Sequence, residues 1–273
     1  GQMALAGAHG GIGQVYKNLD KVKGYGEQSL KLFESTTPAE GWEKANWDNL
    51  REIIHAQVNQ FFGFRLIETK GDKAQAIDYL TKSTMVKNKD GAGWKDPNNY
   101  WLRVGIYLEE YQALRAEYDK LADDQKTGDP GKELLKKVNA VMDGKLIPDY
   151  ARVMATAVKP ETKSLSDAAK GYLDAYWNYR TKAPEKSADY VKAFIADPTV
   201  AGPTIPVKVE EADSAPLQAP TGPAAGTVKL SSGSGAANSA GGGAKAAANG
   251  NGKTTTKGKA APKAAPKGKR KRP

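Results

Sequence analysis

The chain has 273 residues, of which 39 % are hydrophobic and 26 % charged, with a formal net charge of +10 and no cysteine. The missing cysteine excludes disulfides, thiolate metal sites and cysteine nucleophiles together, and no run of about 18 uncharged apolar residues is present to span a membrane. The charge is segregated: nine lysines and two arginines with no acid between Lys229 and Pro273 give +11, which leaves −1 for residues 1–228.

In chain order, residues 4–33 read as a first helical hairpin. Ile12, Val15, Tyr16 and Leu19 form one stripe of helical period, and Val22, Tyr25, Ser29, Leu30 and Phe33 form another. Asp20 between them is the expected cap of the second helix. Pro38 to Gly41 is a loop. A helix from Trp42 or Trp47 to Thr69 turns Trp47, Leu50, Ile54, Val58, Phe61 and Phe64 to one side. A turn at Gly71-Asp72 follows, then a second helix from Lys73 whose stripe is Ala76, Ile77, Leu80 and Ser83. The small residues in that stripe predict a tight antiparallel hairpin over 64–83, the unit on which the rest of the chain is organised.

The polar segment 87–96 reads as a loop, and Asp96-Pro97 opens the next helix with proline in its first turn. That helix carries Tyr100, Trp101, Val104, Tyr107, Leu108, Tyr111, Leu114, Tyr118 and Leu121 on a broad apolar face. Gly128-Asp129-Pro130-Gly131 breaks the chain, and residues 132–158 give two helical segments split near Asp143-Gly144. Helices over Ser164–Arg180 and Ser187–Ala196 complete the body, and no strand pattern of useful length occurs. The prolines at 203, 206, 216, 220 and 223 prevent a helix, and the Gly/Ala/Lys-rich chain beyond Ser231 is expected to remain disordered. The expected organisation is a helical-repeat domain over 1–125, a helical extension over 126–200 and a disordered, Pro/Ala/Gly/Lys-rich basic tail over 201–273.

The hairpins resemble the tetratricopeptide repeat, a helix-turn-helix unit of 34 residues. Trp101, Val104, Gly105 and Leu108 stand at first-helix core positions; Gly71-Asp72, Ala76, Ile77, Tyr79, Leu80 and Ser83 match the second helix. Gly13 and Tyr16, with Tyr25 and Ser29, give a weaker unit, and Phe64 stands where the family has a small residue. The matched first-helix positions 13, 64 and 105 are far enough apart to require insertions between units. The resemblance covers residues 4–122 and extends in layout to tetratricopeptide proteins of environmental bacteria. It implies an all-α, short and irregular stack of antiparallel hairpins in a right-handed superhelix, in the bacterial cytoplasm or periplasm, binding a protein or peptide without catalysis. Its concave groove would be lined by Phe61, Arg65, Glu68 and Thr69 in one unit and Asn99, Leu102, Ile106 and Glu109 in the next. The chain opens at Gly1-Gln2, so a native N-terminus is expected to be missing.

Candidate chemistry is sparse. The glycines from Gly7 to Gly13 lack the Lys-Ser/Thr pair and the preceding strand of a phosphate loop, so a closely packed helix start is the better reading. His9 and His55 have no ligand or carboxylate at useful spacing. Glu109-Glu110 and Asp123-Asp124 are adjacent and share no helix face. The aromatic residues Tyr100, Trp101, Tyr107, Tyr111 and Tyr118 could stack bases, but at helical spacing they read first as core. No catalytic, cofactor or metal site is expected. The tail resembles the lysine-alanine-proline tails of histone H1-like proteins, and Lys263, Lys267, Lys269, Arg270, Lys271 and Arg272 are its candidate contacts to nucleic acid or an anionic surface.

Overall fold

The hairpin over 64–83 forms as its sequence requires. The computed structural model of the protein describes residues 19–208 and 216–217. All of them belong to the unit Gly1–Ser234, and the unit Gly235–Pro273 lies outside them. Helix α1 is Leu19–Leu32, α2 Lys44–Glu68 and α3 Lys73–Thr84. Between α2 and α3, Gly71 N–H donates to Leu66 O at 2.7 Å and Lys70 N–H to Ile67 O at 3.1 Å, the paired bonds of a Schellman cap. The Asp72 carboxylate then accepts from the N–H groups of Ala74 and Gln75, capping α3. The left-handed residue is Lys70, at φ +51°, and not Gly71. Because a side chain in that region is strained by about 1 kcal/mol, Lys70→Gly is expected to stabilise the fold by up to about 1 kcal/mol, seen as a higher urea midpoint.

The close approach of α2 and α3 depends on Gly63 as well as on Ala76 and Ser83. A Cβ at Gly63 would lie 2.6 Å from Leu80 Cγ and 3.1 Å from Ala76 O. Helix α2 is therefore buried on two sides. Trp47, Ile54, Val58 and Phe61 pack with Phe33, just past the end of α1, while Phe64 packs with Leu80 and Leu102 toward the following helices. Asp20 sits within α1 rather than at its cap, and the expected partner helix over 4–18 lies outside the described residues.

Helix α4, Pro97–Asp119, joins this stack to the rest of the body. Its first turns are buried on every face from Pro97 to Val104. The Asp96 carboxylate caps it through Asn98 N–H and also accepts from Gln60 of α2. Asn99 donates to Ser83 Oγ at 3.0 Å, and Ser83 donates to Ala56 O at 2.8 Å, so one relay pins α4, α3 and α2 together.

The break expected near Asp143-Gly144 does not occur. Short helix α5, Asp123–Thr127, which sequence reasoning missed, precedes α6, Asp129–Val141. From α6 the chain passes through a single π turn, Met142–Leu146, directly into α7, Ile147–Thr156. Pro148 explains the widening: it has no N–H to donate, and in a regular helix its ring would meet the carbonyl of Gly144. Widening to an Ile147 N–H to Met142 O bond removes that conflict without ending the helix. Helix α8, Lys163–Thr181, and α9, Ser187–Lys192, close the body. The described residues form an all-α stack of helical hairpins with further helices appended; the nearest thing to a strand among them is one isolated bridge, Lys87 with Gly93. No described helix is long and apolar enough to cross a membrane.

Candidate functional site

The largest core joins α4, α6, α7, α8 and α9, and tyrosine dominates it. Tyr150 stacks on Tyr172 at 5.1 Å, and Tyr111 meets Tyr176 edge-on at 5.6 Å. Burial raises the phenol pKa of Tyr100, Tyr111, Tyr150 and Tyr176. Tyr100, Trp101, Tyr111 and Tyr118 are thus core residues, which overturns base stacking as their role.

On the outside of this core lies a stretch of the chain's own backbone. After α9 the chain leaves through Asp197-Pro198 and runs without regular secondary structure over 199–208, with 216–217 reached again further on. This strap is held by specific bonds. Arg152 donates from Nε to Pro198 O at 2.8 Å and from Nη2 to Val200 O at 3.0 Å. Lys208 N–H donates to Arg180 O at 3.0 Å, and the Tyr111 hydroxyl donates to Leu217 O at 2.5 Å. Gly202 lies where a Cβ would be 2.5 Å from the Tyr190 hydroxyl and 2.9 Å from Phe194 Cζ. Ile205 is buried in the main core, whereas Thr199, Val200, Ala201, Pro203 and Thr204 are exposed.

Two ionic groups set the guanidiniums that frame this face. Asp149, 2 % exposed, accepts from Arg103 Nε at 2.8 Å and Nη2 at 2.7 Å, and from Arg152 Nη1 at 2.7 Å. Burial lowers the Arg103 pKa, but the Asp149 charge and its hydrogen bonds outweigh that and hold it above the ordinary value. Arg180 pairs with Asp143 of the π turn at 2.7–2.8 Å. Arg152 also lies over the Phe194 ring at 4.8 Å. Burial pushes the Tyr190 phenol up to about 12, so it stays a neutral hydroxyl beside the strap.

At the start of the strap, the Asp197 carboxylate accepts from Lys87 Nζ at 2.6 Å and from the Thr199 N–H and hydroxyl. These bonds lower its pKa to about 2. A depressed carboxylate contributes stability that is present above its unfolded pKa and lost as pH falls through the folded one. The protection factor of the Thr199 amide, its intrinsic exchange rate over the observed rate at the same pH, is therefore expected to hold down to about pH 4 and to fall toward pH 2.

The residues carried over from the repeat family divide in two. Phe61, Asn99, Leu102 and Ile106 are buried and hold helices together. Arg65 is half-buried, and Glu68, Thr69 and Glu109 are exposed, with Glu109 paired to Lys73 Nζ at 2.6 Å. His55 Nε2 lies 3.1 Å from Phe33 O, a contact that ties α2 to the end of α1. Glu110 pairs with Lys145, so the two adjacent glutamates serve different partners. The glycines from Gly7 to Gly13, His9 and the tail residues Lys263, Lys267, Lys269, Arg270, Lys271 and Arg272 lie outside the described residues. No family model, curated protein or solved structure matches the chain.

Arg152, Gly202 and Ile205 were missed by sequence reasoning. Their only signal is an isolated large aliphatic residue set between prolines, in a segment whose composition otherwise suits a linker.

Proposed function

We propose that the chain is a non-enzymatic helical scaffold of tetratricopeptide-like type that binds a protein or peptide partner. One observation carries the reading: the helical body holds a polypeptide segment without regular secondary structure, its own strap, by bonds to that segment's main chain. Helical scaffolds recognise extended segments by this combination of clamping side chains and apolar pockets. The charge distribution favours a second reading, in which residues 229–273 tether the chain to nucleic acid or an anionic surface. Affinity capture with the full chain and with residues 1–228 separates the two. The scaffold reading expects the same proteins from both forms, retained at high salt. The tether reading expects heparin or DNA retention by the full chain alone, lost as salt is raised. Salt-sensitive retention by residues 1–228 would overturn the placement of that affinity in the tail.

A further inference from the structure

The strap touches the body through few of its own side chains. Three positions point inward: Pro198, which is buried, Gly202, against Tyr190 and Phe194, and Ile205, in the core. The remaining hold comes from Arg152 to two carbonyls and from the Lys208 amide to Arg180. A face that grips main chain and tests only these three positions accepts other sequences that keep them. Behind Gly202 stands a row of rings, Trp177 to Tyr190 at 4.9 Å and Tyr190 to Phe194 at 5.5 Å. Aromatic rows of this kind suit proline-rich segments, which are already extended and lose little entropy on docking. The strap is such a segment, with Pro198, Pro203 and Pro206 fixing its backbone.

We propose that this face is a binding site for proline-rich segments of a partner protein that carry a proline, a glycine four residues on and an aliphatic side chain three residues beyond that, and that residues 198–208 are its resident occupant. The inference rests on the scaffold reading and gives it a ligand class. It lies in the C-terminal helices, away from the groove expected of the repeats. The occupant's cost to a competitor is set by the fraction of chains with the face open.

The test uses the full chain and a labelled synthetic peptide of residues 197–208 with Thr204→Ser, a change at an exposed position that separates its mass from the strap's. Gly202→Leu should expel the strap, because the added side chain meets Tyr190 and Phe194. Fluorescence anisotropy is expected to show the Gly202→Leu chain binding the peptide at least about tenfold more tightly than the wild type. A peptide carrying Leu at the same position should not bind. In the wild-type chain, excess peptide should speed deuterium exchange at the Lys208 amide, a readout that needs no mutation. A folded Gly202→Leu chain that takes up the peptide no better than wild type overturns the inference. Should that variant fail to fold, unchanged Lys208 exchange in about 1 mM peptide overturns it instead. Peptide exchange without capture of any protein sinks the scaffold reading and leaves this site standing; capture without exchange does the reverse.

Discussion

Asp149→Ala is expected to cost the fold about 3–5 kcal/mol, the penalty for leaving buried guanidiniums without their counter-ion. Asp149 is 2 % exposed and Arg103 8 %, and the carboxylate takes three hydrogen bonds from the two arginines. With Asp149 gone, Arg103 retains only a long contact to Thr81 Oγ1 at 3.4 Å and the Tyr100 ring at 5.1 Å. Arg152 has more freedom, since it still bonds two strap carbonyls. The loss should therefore fall mainly on the α4–α7 contact, with looser strap amides as a second effect. Urea denaturation followed by circular dichroism measures it. The double substitution Arg103→Met with Asp149→Leu is expected to recover most of the stability, because the buried pair then disappears together, apolar volume replaces it, and Arg152 keeps its two strap carbonyls. A loss below about 1 kcal/mol for Asp149→Ala would mean that water reaches Arg103 and that the cluster is not closed.

Asp149 also shows where sequence reading stops. Helix starts were legible where a short side chain caps them, as Asp72 and Asp96 do. The hairpin turn was legible for the same reason. Periodicity, however, identifies an apolar face without saying whether the opposite face meets solvent or another helix. Helix α2 is covered on two sides and the start of α4 on all sides, which is why Phe61 and Asn99, placed by analogy in a groove, are core residues. Asp143-Gly144 reads as a break because glycine commonly weakens or ends helices. Here, a wider turn absorbs it and places Asp143 against Arg180. The strap was illegible because proline and small residues describe its backbone habit and not its docking. What docks it is Arg152, which in the sequence is one more cation on a helix.

Gly93→Ala is expected to destabilise the chain by about 3 kcal/mol, while Gly91→Ala, two residues earlier, should cost only about 1 kcal/mol. Both glycines have left-handed backbones, at φ +83° and +86°, so the conformational strain of adding a Cβ is shared. Their surroundings differ. At Gly91 the nearest atom to a new Cβ is Lys95 Cβ, at 3.4 Å. At Gly93 the new atom would lie 2.4 Å from Ser83 O and 2.8 Å from Val86 O, with Ala56 Cβ at 3.1 Å. Backbone oxygens cannot rotate aside, so the 85–96 loop itself would have to move. That movement pulls on bonds that organise the helices: Gly93 O accepts from Asn99 at 2.9 Å, and Asn99 donates to Ser83, which bonds Ala56 O. The strain from one methyl group would spread into the relay joining α2, α3 and α4. Thermal melting resolves the pair, since 1 kcal/mol moves the midpoint of a domain of this size by roughly 2–4 °C. Equal shifts for the two variants would show that backbone strain alone matters and that the loop has room to yield at Gly93. A larger shift for Gly93→Ala would place the tightest packing of the hairpin stack where this loop passes behind α3.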